Sequence, residues 1–336
     1  MIFVDVVGLG VEQNLYAVLF KFCLQRLDHL WVELAKNAVA SSQPLATQVG
    51  IEALQNGGNA VDAALATAIT LTVVEPTMNG LGGDGFALIW DGKKLHSMNA
   101  SGRAPAAWTP DYFSGKAAMD LIGWNTVTVP GMVSGWIELS RKFGKLPFAQ
   151  LFKRAIDYAE NGFPVSPVIA RQWREATPVL KNQPGFSESF LIDGKSPSAG
   201  QIWRYPAQAK TLREIADTEG ESFYTGKLAQ SMVDFAQSTG GCFTMADFAA
   251  NQTDWVEPLA FDYGDYTLHE IPPNGSGIAA QMALGILQAA NAKQYPANSA
   301  QRIHLQVEAM RIAFADAYAH VSDASTMKVP ASALLD

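Results

Sequence analysis

Arg103 is the side chain with the clearest chemistry to offer. It stands in Ser101-Gly102-Arg103-Ala104-Pro105, after a stretch, Lys94 to Ala100, that reads as the return strand of a hairpin. A hairpin before it and a proline after it would hold a planar guanidinium in place, and such a group grips a carboxylate through two parallel charge-assisted hydrogen bonds. The competing reading is an ordinary surface arginine, since exposed arginine is common. Upstream, Gly80, Gly82, Gly83 and Gly85 would let the backbone adopt conformations closed to residues with a Cβ and let a substrate approach the main chain. Gly80-x-Gly82-x-x-Gly85 also satisfies the pattern of a dinucleotide-binding loop, but that loop needs a strand before it and a helix after it. Here an apolar helix comes first and a strand second, and Asp84 adds negative charge where a pyrophosphate would lie. A nucleotide-binding oxidoreductase is therefore the most remote reading.

Other chemistries fail on spacing or company. No GxSxG nucleophile elbow occurs: Gly275-Ser276-Gly277 lacks the spacing, and Met132-Val133-Ser134-Gly135 reads as helix. Ser325-x-x-Lys328 has no KTG companion, and Pro330 follows it closely. His304 with Glu308, and Asp316 with His320, each share a helix face, but without a third ligand they read as surface pairs. No metal or cofactor is expected. Nothing in the chain supplies a nucleophile with its base.

The elements that must position Arg103 follow from pattern. Glu75-Pro76 ends an apolar helix. Phe86 to Trp90 has strand length, and Asp91-Gly92 is a hairpin-turn dipeptide. Before these, Asn37 to Ser42 reads as a short strand and turn, and Pro44 opens a helix that closes at Asn56-Gly57-Gly58. Asn59, with Asp62 three residues on, caps the alanine-rich helix AVDAALATAITLTVV, whose near-absence of charge requires burial on most sides. Leu121 to Val129 alternates like a strand. Helices follow at Met132 to Phe143, closed by Gly144, and at Phe148 to Asn161, closed by Gly162. Helical periodicity runs from Val168 to Ala176, and Lys181 to Gly200 reads as a surface loop. Helices resume at Pro206 to Asp217 and Gly226 to Ser238, with a short helix capped by Thr244 and Asp247. Strands at Trp255 to Phe261 and Tyr266 to Ile271, joined near Gly264, precede two long helices, Ile278 to Ala290 and Ser299 to Ser322.

Composition narrows the partners. With 336 residues, 48% of them hydrophobic and 17% charged, the chain can bury a large core. Its formal net charge of −8, with no basic run, argues against a nucleic-acid partner. Cys23 and Cys242 are too far apart in sequence, and lack the spacing, to suggest a disulfide framework or a zinc site. Residues 1–36 read as an atypical extension: Asp5 and Glu12 stand where an export signal carries positive charge, Lys21 breaks the apolar core, and the run is too short to span a membrane. A cytoplasmic location is thus favoured over a periplasmic or secreted one, and no membrane association is expected. Residues 37–336 read as one mixed α/β domain.

Several motifs together resemble the large subunit of γ-glutamyltransferases. They are AVASSQPLATQVGIEALQNGGNAVDAALA at 38–66, NGLGGDGF at 79–86, SGRAPA at 101–106, TVPGMVSG at 128–135, FYTGKLAQ at 223–230, the stretch from Gly240 to Phe248, PPNGSGIAAQM at 272–282 and EAMRIAFADAYAHVSD at 308–323. The resemblance covers roughly residues 36–336. It implies an N-terminal-nucleophile hydrolase, an αββα sandwich formed when a precursor cuts itself into large and small subunits. The new N-terminal threonine of the small subunit then attacks the γ-amide of glutathione or a similar donor, with its own α-amino group as base, and the γ-glutamyl ester passes to water, an amino acid or a dipeptide. Arg103 matches the arginine that binds the donor's α-carboxylate. Up to Asp336 no segment resembles the small subunit, so the nucleophilic threonine is expected on a small subunit from the same precursor, and this chain alone is expected to be inactive. Asp84 and the SGRAP segment resemble the branch containing glutaryl acylases, which is the alternative; a non-catalytic fragment is a third reading.

Overall fold

The computed structural model describes residues 37–336. The expectations for residues 1–36, and for Cys23, lie outside the described residues. The described residues gather into two compact units: residues 37–84 with 101–253, and residues 85–100 with 254–336.

The first unit is helical and is built around two tightly packed helices, α1 (Pro44–Gln55) and α2 (Ala60–Val74). Gln43 caps α1 by accepting the Leu45 amide at 2.5 Å, and Pro44 supplies the φ of the first turn. Asn59 and Asp62 form a reciprocal capping box on α2, as their spacing predicts. Asp62 is fully buried, and its carboxylate also accepts the Lys145 and Leu146 amides, so one side chain starts α2 and fastens the turn after α3 (Met132–Phe143). Twelve positions of α2 are buried, which its composition required. Its threonines sit there at little cost, because Thr67, Thr70 and Thr72 each donate to a carbonyl of their own helix at 2.7 Å. A Cβ on Gly50 of α1 would lie 2.3 Å from Thr67 Oγ1, so the close approach of the two helices depends on that glycine.

The remaining helices of this unit are α4 (Lys153–Asn161), α5 (Pro167–Leu180), α6 (Phe186–Phe190), α7 (Pro206–Asp217), α8 (Glu221–Tyr224), α9 (Lys227–Ser238) and α10 (Met245–Ala249). Several differ from the sequence expectation. Residues 148–152 form a 3-10 turn ahead of α4 instead of its first turn. Helix α5 continues through Pro178 to Leu180. The expected loop 181–200 contains α6, whose Phe190 carbonyl accepts the Trp173 indole N–H at 3.0 Å. Asn37 to Ser42 forms no strand, and neither does Leu121 to Val129: Gly123 takes φ 95° and residues 124–126 make a 3-10 turn. Among the described residues no strand pairs with this stretch. Trp124 instead packs edge-on against Phe235 and Phe243, and Leu121 is 96% exposed.

The second unit contains the hairpin β1 (Gly85–Trp90) and β2 (Leu95–Ala100), registered from Gly85↔Ala100 to Trp90↔Leu95. The expected hairpin is present, with Asp91 Oδ1 accepting the Lys93 and Lys94 amides at 2.8 Å each and Gly92 at φ 94°. The expected strand Trp255 to Phe261 is two strands: β3 (Asp254–Val256) adds to β2, while β4 (Leu259–Tyr263) pairs with β5 (Tyr266–Glu270). Pro258 lies at the break, where a ladder amide would be lost. Helices α11 (Ile278–Ala289) and α12 (Ala300–His320) pack through Ile278, Met282, Ala283, Ala309, Ala313 and Ala317. Strand β1 is an edge of its sheet and turns Phe86, Leu88 and Trp90 outward, Trp90 being 51% exposed. Helix α12 likewise exposes Ile303, Val307, Ile312 and Tyr318.

Candidate substrate-binding site

Arg103 follows the end of β2 by three residues, where the hairpin reading placed it. Its side chain is exposed while its main chain is pinned. The Arg103 carbonyl accepts the Val129 amide at 2.9 Å, and Gly102 crosses Val129 so closely that a Cβ there would lie 1.9 Å from the Val129 carbonyl oxygen. Gly102 also holds φ at 76°, so position 102 requires glycine on two counts. Beyond Arg103, Pro105 is buried and the Ala106 amide donates to Asp247 Oδ1 at 2.8 Å.

Asp247 thereby joins two segments. Its Oδ2 accepts the Thr244 amide at 2.8 Å and the Thr244 hydroxyl at 2.7 Å, closing the capping box of α10, while Oδ1 is left for the Arg103 segment. Burial pushes the carboxyl up, but the bonds from Ala106 and Thr244 outweigh it and hold Asp247 below the usual aspartate range.

The residues opposite Gly102, Val129 to Met132, are all buried and lead into α3. Two amides that helix geometry leaves unpaired at the start of α3, those of Gly131 and Met132, donate to the Gly83 carbonyl at 3.1 Å each. One short crossing thus holds the Arg103 segment on one side and the glycine turn on the other. The Tyr224 hydroxyl donates to the Pro130 carbonyl at 2.8 Å and accepts the Ser134 amide at 2.9 Å. Burial pushes this phenol up to about 12 against the lowering effect of its Ser134 bonds, so it stays a neutral donor at physiological pH. Ser134 Oγ meets the Gly131 carbonyl, Thr253 Oγ1 and Asn251 Nδ2, none of which can take up a proton as a base would.

The glycine turn differs from expectation. None of Gly80, Gly82, Gly83 and Gly85 has positive φ, and a Cβ on Gly80 or Gly82 would meet open space. Gly83 is confined: a Cβ there would lie 3.2 Å from Met132 Cε and 3.3 Å from the Gly80 carbonyl oxygen. Elsewhere, Glu308 pairs with Arg311 at 2.8 Å, and Ser325 donates to Asp323 in a turn. Among the described residues no three His, Cys, Asp or Glu side chains are placed to share a metal ion, and no helix is long and apolar enough to cross a membrane. Sequence reasoning missed Asp247 as an anchor, and missed Tyr224 and Gly102. The Thr244-x-x-Asp247 spacing was a usable signal for a cap, and nothing local showed its second partner.

Comparison with known proteins gives this geometry a context. The family model for gamma-glutamyltranspeptidase matches residues 46–336. The Glutathione hydrolase-like YwrD proenzyme of Bacillus subtilis is 36% identical over 304 residues, covering 90% of this chain and 58% of that protein. A crystal structure of cephalosporin acylase from Bacillus halodurans superposes with TM-score 0.82 at 42% identity, covering 88% of this chain and 56% of that one. A gamma-glutamyltranspeptidase from Pseudomonas nitroreducens superposes with TM-score 0.83 at 34% identity, covering 90% of this chain and 92% of that one. The chain therefore spans a little over half the length of the proenzyme and of the acylase. Its mixed helix and sheet is that of the N-terminal-nucleophile hydrolase class.

Proposed function

The chain belongs to the γ-glutamyltranspeptidase family, and on that premise we propose that it is the large-subunit part of an enzyme that cleaves γ-glutamyl amides. Glutathione, or another γ-glutamyl donor, would bind with its α-carboxylate on Arg103. The N-terminal threonine of a small subunit would attack the γ-amide, and the γ-glutamyl ester would pass to water, an amino acid or a dipeptide. The observation that carries this reading is the pairing at Arg103: an exposed guanidinium on a main chain fixed by Val129, Gly102 and Asp247. Such a group meets a carboxylate in a set orientation without first losing backbone entropy.

The small-subunit partner rests on a separate observation. An edge strand bears Phe86, Leu88 and Trp90 outward, and the longest helix of the same unit exposes Ile303, Val307, Ile312 and Tyr318, apolar surface of the kind a partner covers. Strands of a small subunit would cover it. The near-complete overlap with a single chain of the Pseudomonas nitroreducens transpeptidase, 92% of that chain, supports the same division. The nucleophilic threonine is expected on that small subunit, so the isolated chain is expected to turn over no donor.

A glutaryl acylase is the second reading, favoured by the higher identity to the cephalosporin acylase, 42% against 34% for the transpeptidase. Arg103 serves a carboxylate in either case. Hydrolysis of γ-glutamyl and glutaryl anilides by this chain assembled with a small subunit separates them: preference for the γ-glutamyl anilide supports the leading reading, and preference for the glutaryl one replaces it. Location in the cell is proposed as cytoplasmic, from the charge pattern of residues 1–36.

A further inference from the structure

Tyr224 lies 121 residues after Arg103 in the chain, yet its hydroxyl closes on the crossing that holds the Arg103 main chain. We infer that Tyr224 is a positioning residue of the carboxylate-binding site, acting through residues 129–132. This rests on the reading of Arg103 given above.

Three bonds run out of the crossing in different directions. Val129 N–H goes to the Arg103 carbonyl, and Gly131 and Met132 N–H go to the Gly83 carbonyl. Each fixes a segment of the site relative to Val129 to Met132, so the placement of the site follows the placement of that stretch. Within α3 the Gly131 carbonyl accepts the Ser134 hydroxyl and the Gly135 amide, and the Pro130 carbonyl accepts the Tyr224 hydroxyl, which ties the stretch to a residue far along the chain. The same hydroxyl accepts the Ser134 amide, one turn into α3, so one oxygen spans the junction between the crossing and its helix. Proline at 130 removes the amide that would otherwise have offered a second bond there. The ring is anchored independently: it stacks edge-on with the buried Phe223 at 5.2 Å and packs against the cluster of Val129, Phe243 and Phe248. Tyr224→Phe would thus remove the two bonds and keep the packing, leaving the Pro130 carbonyl and Ser134 amide unpaired.

The test has two independent readouts on Tyr224→Phe. The first is amide hydrogen exchange in this chain, with or without a small subunit. Val129, Gly131, Met132 and Ser134 should exchange roughly tenfold faster or more, since the loss of about one hydrogen bond's net worth corresponds to that factor, while amides of α2 keep their protection. The second is donor kinetics in the assembled enzyme: KM should rise roughly tenfold with kcat within about twofold, because the site loses the placement of a binding group and no reacting group. Unchanged exchange at 129–134 overturns the inference whatever the activity. Faster exchange with unchanged KM also overturns it. If wild-type enzyme turns over neither γ-glutamyl nor glutaryl anilides, the functional reading of Arg103 fails, and the exchange result still decides whether Tyr224 holds the crossing.

Discussion

Two glycine-bearing stretches flank the β1–β2 hairpin in the chain, and they use their glycines in opposite ways. In the turn before it, Gly80 and Gly82 have ordinary φ and open space where a side chain would go. After it, Gly102 has φ 76° and no space at all against the Val129 carbonyl. Glycine is denser in the first stretch, but the constraint sits at the second. A glycine matters where the backbone is crossed or left-handed, and its frequency in a segment does not report that.

Substitutions sharpen the contrast, and Gly102→Ala should have the largest effect. Left-handed strain and the clash with Val129 together should cost roughly 2–6 kcal/mol, read as a fall in the denaturation midpoint. Asp247→Ala comes next, at about 2–3 kcal/mol, because it leaves the Ala106 and Thr244 amides unpaired and uncaps α10. The same carboxylate gives a pH signature. Its folded pKa lies below the unfolded value near ~4, so its contribution is present above that pH and is lost as pH falls through the folded pKa. Stability measured below pH ~4 should therefore fall less steeply in Asp247→Asn than in the wild type. Gly83→Ala should cost about 1 kcal/mol, as Met132 Cε gives way. Gly82→Ala should change stability by no more than ~0.5 kcal/mol; a large loss there would reverse the comparison.

The same division between local and distant constraint explains what was legible in the sequence. The cap of α2 by Asn59 and Asp62, the hairpin turn at Asp91-Gly92 and the position of Arg103 depend on residues within a few places of one another. Gly144 closes α3 as expected, at φ −64°, and a Cβ there would meet the Ser140 carbonyl at 2.5 Å and Asp62 at 3.1 Å, the second of which no local pattern shows. Leu121 to Val129 alternates as a strand would, but residues 124–126 make a 3-10 turn and Trp124 packs into the Phe243 cluster, a contact more than a hundred residues away in the chain. The anchors of Arg103 lie 26 and 144 residues away, at Val129 and Asp247, and no local pattern announces them.

A second contrast, between helices, bears on the partner. Helix α2 is buried on twelve of its fifteen positions, while α12 buries three alanines of its twenty-one residues. The exposed apolar residues of α12 and the outer face of β1 are the surfaces that the proposed small subunit would cover.

The most direct test of the central claim is the donor Michaelis constant of the assembled enzyme with Arg103 intact, and with Arg103→Ala and Arg103→Lys. The alanine variant should lose ~2–5 kcal/mol of donor binding, as when one partner of a desolvated charge pair is removed. The lysine variant should recover little, because an ammonium cannot reproduce the two-pronged grip. Unchanged constants in both variants would contradict the account.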